Sequence, residues 1–338
     1  MNALVIGGTG LISGGITREL LRRGHRVTVY HRGRTPLRER GVMEILGDRR
    51  DRPLFEAALR PFKWDAVFDL IGFNREDVES AVRALRGRTK HYLFCSTVCA
   101  VGVPTMSLIC DEDEPYHPIS GYGRGKAEAE RYLLAQARNR RFPVTIFRPS
   151  HTYGPGGGWV LGTFLTDWEK DCELVNRIRR GKPCVVHGDG EALWQSCYVD
   201  DVARGFVAAA GRRKTLGRVY NICGRDIMTG NQYYQAVGRA VGRTPKLVHM
   251  PTGLLVRSAP WEATGFLREI AFAHGAYTTA ALRRDVPEFD PRIDVEEGTR
   301  RHIRWLAAEG RLRQAPARPW EDRLARAAQR FQKSLARG

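Results

Sequence analysis

The sequence predicts an α/β fold, a doubly wound parallel sheet with helices on both faces, followed by a smaller C-terminal lobe. Three observations carry this. An apolar run, Ala3 to Ile6, enters Gly7-Gly8-Thr9-Gly10 and a helical pattern follows it. Short apolar strand candidates then alternate with helical stretches as far as residue 147, the signature of a parallel sheet. After Pro149 glycine and proline concentrate in 154–158 and the alternation changes character. At about 150 residues per domain, the 338 residues allow one large or two packed domains. We expect the sheet domain in 1–150 with segments returning from the second half, the lobe in 151–310, and a basic amphipathic tail in 311–338.

Taken in order, Gly24 closes the first helix, with Ile16, Leu20 and Leu21 on its apolar face, and Val27 to Tyr30 forms the second strand. Further strands are expected at 66–71, 92–95 and 144–147, with helices near 51–60, 76–85 and 124–138. Beyond Pro149 the pattern gives amphipathic segments near 164–180, strands near 184–186 and 219–222, and helices near 200–210 and 230–241.

Composition excludes several classes. The chain is 42% hydrophobic, 27% charged and 9% aromatic, values of an ordered globular protein. It holds no stretch of about 18 apolar residues and begins directly in a strand, so neither a membrane span nor a signal peptide is expected, and the chain reads as cytoplasmic. Seven cysteines without a CxxC pair suggest neither a zinc site nor a disulfide framework; most read as small buried residues. The net charge of +18, carried largely by arginine, could steer anions or nucleic acid. It is scattered, however, and nucleic acid is disfavoured as a partner. Residues 311–338 carry eight basic and two acidic side chains, with Trp320, Leu324, Ala327, Ala328, Phe331 and Leu335 as an apolar stripe, which reads as a surface helix.

Gly7 and Gly10, with Ser13 and Gly14, have the spacing of a dinucleotide-binding loop: a tight turn, close approach of backbone to pyrophosphate, and a small residue for helix packing. The second strand ends Tyr30-His31-Arg32-Gly33-Arg34. No carboxylate follows to accept ribose hydroxyls, which favours NADP over NAD, with Arg32 and then Arg34 as contacts to a 2'-phosphate. Asp48 could accept from the adenine amine or cap a helix. Tyr122 and Lys126 lie four apart on one helix face, where an ammonium beside a phenol eases proton exchange with a substrate hydroxyl. Thr97 supplies a hydroxyl at the end of the preceding strand.

These motifs, with Gly7-Gly8-Thr9-Gly10-Leu11-Ile12, Gly47-Asp48, Arg148-Pro149, Tyr153-Gly154-Pro155, Gly188-Asp189-Gly190 and Val199-Asp200-Asp201-Val202-Ala203, stand in the order found in extended short-chain dehydrogenases/reductases. The chain resembles the NAD-dependent epimerase/dehydratase group of that family over about residues 1–306. The resemblance implies a Rossmann-like sheet domain and a substrate-binding lobe. It makes Thr97 the hydroxyl that orients substrate, Tyr122 the acid/base and Lys126 the residue that binds the nicotinamide ribose. It also places Gly7, Gly10, Leu11 and Ile12 at the dinucleotide, Leu70, Ile71 and Gly72 on its nicotinamide side, and Pro149 and Ser150 at the nicotinamide amide.

Three positions depart from the group's pattern. His151 replaces its usual asparagine and could be a titratable substrate contact or a structural histidine. Trp194 replaces an arginine that binds diphosphate in nucleotide-sugar enzymes, so with Gln195 it could hold a sugar ring or base by stacking and neutral hydrogen bonds. Arg177 or Arg180 could still reach a diphosphate. Val98-Cys99 replaces the Asp-Glu pair of sugar dehydratases; Cys99 could transfer a proton or be packed and inert. The implied function is epimerisation or dehydration of a nucleotide sugar, nucleoside or other sugar-containing metabolite through a transient ketone. The alternatives are net NADPH-dependent redox, or a redox-silent RNA- or protein-binding member of the fold. A homodimer is possible.

Overall fold

The computed structural model describes residues 1–139, 142–156, 173–313 and 318–335. The expected amphipathic stretch near 164–180 lies partly outside these; within them it is helical over Glu173–Arg179. The chain divides into two compact units, one of Met1–Ser150, Val199–Cys223 and Tyr277–Pro291, the other of His151–Tyr198, Gly224–Ala276 and Arg292–Gly338.

In chain order the strands are β1 (Asn2–Ile6), β2 (Arg26–His31), β3 (Met43–Leu46), β4 (Ala66–Asp69), β5 (Tyr92–Cys95), β6 (Val144–Pro149), β7 (His151–Tyr153), β8 (Pro183–His187), β9 (Leu193–Tyr198), β10 (Val219–Ile222), β11 (Ile227–Thr229) and β12 (Lys246–Met250). The helices are α1 (Leu11–Arg22), α2 (Arg52–Leu59), α3 (Arg75–Leu85), α4 (Gly121–Arg138), α5 (Glu173–Arg179), α6 (Val199–Ala209), α7 (Gly230–Val241), α8 (Thr252–Ser258), α9 (Trp261–Phe266), α10 (Ala280–Asp285), α11 (Val295–Ala308) and α12 (Pro319–Leu335).

The first unit is built on a seven-stranded sheet, order β10-β6-β5-β4-β1-β2-β3, with every pairing parallel. This is the expected doubly wound Rossmann-like sheet, completed by β10 from the second half. Leu4, Ile6, Val67 and Phe94 are fully buried and read as continuous apolar runs because such strands are covered on both faces. Strand β4 stops at Asp69 rather than continuing to Ile71, because the Asp69 carboxylate accepts from the Ile71 N–H at 3.1 Å and turns the chain.

The second unit contains the three-stranded sheet β11-β9-β7 and the pair β12-β8. Strands β7, β9, β11 and β12 escaped the sequence reading: β7 and β11 are three residues long, and β9 (LWQSCY) and β12 (KLVHM) mix polar and apolar residues without strict alternation, so pairing rather than apolar pattern makes them strands.

The tail forms α12, but with a different inward face. Ala325 and Glu321 are buried, Trp320, Leu324 and Ala328 are half-buried, and Ala327 and Phe331 are exposed; the Leu335 side chain lies outside the described ones. Charge sets that orientation. Arg177, fully buried on α5, pairs with Glu321 at 3.2 Å and Asp322 at 2.8 Å, and Glu321 also accepts from the Val185 N–H. Arg177 is thereby committed to α12 and to the Pro183 carbonyl rather than offered to a diphosphate.

Candidate active site

Within the first unit, the parallel strands deliver the expected residues to one edge of the sheet, the edge at which doubly wound sheets bind ligands. Gly7 to Gly10 follow β1, Arg32 and Arg34 follow β2, Leu70 to Gly72 follow β4, Thr97 follows β5, and Pro149 and Ser150 end β6. Ser150 donates its N–H to the Ile222 carbonyl.

The glycine loop has no room for side chains. A Cβ on Gly8, where φ is +56°, would lie 2.0 Å from Val29 Cγ1, and one on Gly7, where φ is +123°, would lie 3.1 Å from Ile71. Gly10 begins α1 in extended conformation, and its N–H donates to Ser13 Oγ at 2.9 Å. The close helix packing expected of Ser13 falls to Gly15, whose Cβ would lie 2.8 Å from Val199 of α6. Leu11 and Ile12 open α1, so their amides belong to the positive helix end that suits a pyrophosphate. This backbone cradle fits a dinucleotide.

At the end of β2, Arg32 and Arg34 are exposed. His31 is buried and its Nε2 lies 2.7 Å from Glu44 of β3. Asp48 accepts from the Arg50 side chain and backbone N–H; those bonds, aided by Arg32, hold its carboxyl at about pKa 2. The helix-cap role falls to Asp51, which accepts from the Leu54 N–H at 3.3 Å.

Ser120 caps α4 by accepting from the Gly123 N–H, placing Tyr122 and Lys126 one turn apart. Gly123 and Gly125 let α4 settle onto its neighbours: Cβ atoms there would come 2.3 Å from the Cys99 carbonyl oxygen and 2.5 Å from that of Phe73. Lys126 is buried, donates to the Cys95 carbonyl at 2.5 Å, and lies near the rings of Phe94, Phe73 and Tyr122 at 4.8, 5.3 and 5.8 Å. Burial holds its pKa below the usual lysine range, opposed by the fields of Cys95 and Asp69. Tyr122 is 42% exposed.

Thr97 is buried and its Oγ1 accepts from the Cys99 N–H at 3.2 Å, leaving the hydroxyl proton to donate elsewhere. Val98 is buried and Cys99 half-buried on the short 3-10 turn that follows. Among the other cysteines, burial pushes Cys95 up to about 11 and Cys110 and Cys223 up to about 12, as packed inert thiols require.

Two buried ion networks were missed because their members are distant in sequence. Glu130 accepts from Arg148 at 2.8 Å, from Tyr116 at 2.8 Å and from Ser96, tying α4 to β6 beside Thr97. Asp69 accepts from Arg49 at 2.7 Å and from the Tyr92 hydroxyl at 2.6 Å. The Tyr122-x-x-x-Lys126-x-x-x-Glu130 spacing was the one available signal for Glu130.

In the second unit, His151 Nδ1 lies 3.1 Å from Ser196 Oγ, which accepts from Trp194 Nε1 at 2.8 Å. The His151 and Trp194 rings meet at 5.2 Å, with Phe266 edge-on to Trp194 at 5.4 Å. Burial lowers the His151 pKa to about 4, so the imidazole is neutral near pH 7 and does not titrate there. Trp194 is only 5% exposed. Gln195, one residue along β9, lies on the opposite face from Trp194, where its amide donates to the Gly224 carbonyl at 2.7 Å.

Among the described residues no helix is long and apolar enough to cross a membrane. The family model of the NAD dependent epimerase/dehydratase family matches residues 3–223. Chloroplast stem-loop binding protein of 41 kDa b from Arabidopsis thaliana is 28% identical over 73% of this chain; the chain spans 65% of that protein's length. 2'-Dehydrokanamycin reductase from Streptomyces kanamyceticus is 25% identical, covering 92% of this chain and 86% of its own. The structure of UDP-glucose 4-epimerase from Thermotoga maritima, with UDP-glucose, superposes with TM-score 0.73 at 22% identity, covering 91% of this chain and 99% of its own. With the glycine cradle, the Tyr122–Lys126 pair and a family match over most of its length, this chain belongs to the NAD-dependent epimerase/dehydratase family and is an enzyme of the extended short-chain dehydrogenase/reductase type.

Proposed function

We propose that the chain modifies a sugar-containing metabolite by transient oxidation of a hydroxyl to a ketone, with NADP preferred to NAD. The observation that carries this is the arrangement of Tyr122 one helical turn from the buried ammonium of Lys126, in the unit that also presents the Thr97 hydroxyl. A bound nicotinamide supplies reversible two-electron oxidation of a carbinol. Tyr122, its phenolate favoured by the neighbouring cation, accepts the hydroxyl proton and returns it later. Thr97 donates to the same substrate oxygen and orients it. Lys126, held by the Cys95 carbonyl, binds the ribose. Arg32 and Arg34 supply the charge for a 2'-phosphate, and their exposure leaves them available to it.

Epimerisation needs no further acid or base beyond return to the other face of the ketone. Dehydration needs a further proton-transfer pair, and where dehydratases have Asp-Glu this chain offers a buried valine and the Cys99 thiol. Relatives named UDP-N-acetyl-alpha-D-glucosaminuronate decarboxylase and UDP-glucuronate 4-epimerase support a nucleotide-sugar substrate. The 2'-dehydrokanamycin reductase supports a second reading, net NADPH-dependent reduction of a glycosylated ketone. Incubation with candidate sugars in deuterated water, read by mass spectrometry after chromatographic separation of epimers, tests both. Isomerisation, loss of water and two-electron change give distinct products, and turnover of no sugar-containing compound by the cofactor-loaded protein overturns the proposal.

A further inference from the structure

Arg49 lies in the turn after β3, between Asp48 and Arg50. It is 4% exposed, an expensive place for a guanidinium, and its donors go to one segment. Its Nη1 donates to both Asp69 carboxylate oxygens, at 2.7 and 2.9 Å, and its Nη2 to the Asp77 carbonyl at 2.7 Å, while Nε lies 3.8 Å from the Asp77 carboxylate. The two acidic partners in turn hold the backbone between them. Asp69 accepts from the Ile71 N–H at 3.1 Å and Asp77 from the Phe73 N–H at 2.9 Å. The guanidinium lies directly under Gly72, where a Cβ would come 3.3 Å from Arg49 Nη1 and 2.9 Å from Phe94. Ile71 presses on Gly7 of the glycine loop, and Phe94 is part of the Lys126 pocket.

A replaceable core ion pair could be apolar at no loss of stability. Here its hydrogen bonds instead constrain the loop from Leu70 to Phe73, at the ligand-binding edge of the sheet. Arg49 also directly follows Asp48. One buried residue therefore joins the turn after β3 to the loop after β4.

We propose that Arg49, through Asp69 and Asp77, is a positioning residue that clamps the 70–73 loop in the conformation that receives the nicotinamide half of the dinucleotide. This rests on the cofactor reading above for what the loop receives, but the clamp is a property of the protein alone. The guanidinium acts through these carboxylates and touches neither substrate nor cofactor.

The test uses Arg49→Met, similar in length and without charge, and Arg49→Lys, which keeps the charge and loses the planar fork. Hydrogen exchange of the ligand-free protein should show protection at Ile71 and Phe73 lost by at least tenfold in Arg49→Met, with β1, β5 and α4 protected as in wild type. Unchanged protection at Ile71 and Phe73 overturns the clamp, whatever the cofactor does. Calorimetric titration then separates the two halves of the ligand. ADP, which lacks the nicotinamide, should bind the variant within about twofold of wild type, whereas the full dinucleotide should weaken at least tenfold, and Arg49→Lys should recover part of the loss. Equal weakening of ADP and dinucleotide would make Arg49 a general stability residue and overturn the positioning role. If Arg49→Met does not fold, Asp69→Asn, which keeps the size and weakens the pair, takes its place with the same expectations and the same overturning results. A wild-type protein that binds no dinucleotide, with loop protection still dependent on Arg49, would refute the cofactor reading and the loop's assigned role while leaving the tether itself measured.

Discussion

Trp194 and Gln195 are neighbours in sequence and opposite in space. The indole Nε1 of Trp194 donates to Ser196 Oγ on one face of β9, and the amide of Gln195 donates to the Gly224 carbonyl on the other. Both side chains are almost fully buried.

That burial makes Trp194→Ala a stability variant before it is a binding variant. Truncation should cost about 3 to 5 kcal/mol in urea unfolding, the range for large aromatic side chains removed from a core. Trp194→Phe should recover much of it. An alanine variant within about 0.5 kcal/mol of wild type would show the indole to be a surface platform instead.

Tyr122→Phe should lower turnover by about a hundredfold or more while dinucleotide affinity stays within a few fold, because the lost oxygen transfers a proton. Tyr122 is partly exposed, so the variant should keep the wild-type melting temperature. Near-normal kcat for the purified variant would remove Tyr122 from its role.

NADP should bind more tightly than NAD, and Arg32→Ala should narrow the ratio by about 10- to 100-fold, as expected for loss of a charge-assisted phosphate contact. The exposure of Arg32 predicts no change in fold. Tighter binding of NAD by the wild-type protein, with Arg32→Ala neutral, would make the basic turn solvated surface.

Burial holds His91, His151 and His187 at about pKa 4 and His302 at about 3, against about 6.5 in an unfolded chain. Above pH 6.5 both states hold these rings neutral and they contribute no pH slope. Between about 6.5 and 4 the unfolded chain takes up protons that the folded chain refuses. Stability should therefore fall with pH, by up to about 1.4 kcal/mol per pH unit for each such histidine. Urea midpoints should be lower at pH 5 than at pH 7.5, and His302→Phe should reduce the difference. An unchanged difference in that variant would show that His302 is protonated in the folded protein.

The sequence by itself determined what depends on neighbours along the chain. Apolar strand runs, the glycine turn after β1 and the four-residue spacing of Tyr122 and Lys126 are local patterns, and periodicity transmits them directly into a parallel sheet, a backbone cradle and one helix face. Only the tertiary structure decided where distant charges meet and which way strands without a clean alternation face. Arg49 is 20 residues from Asp69, and Arg177 is 145 from Asp322, so nothing local marks either pair. The tail shows the consequence: its apolar stripe predicted one inward face, but the acidic first turn is drawn to the buried Arg177 and turns Ala325 inward, leaving Phe331 in water. Strand β9 shows the other half. Without a recognised strand the alternation of Trp194 and Gln195 was invisible, because pairing to β7 and β11 makes that segment extended.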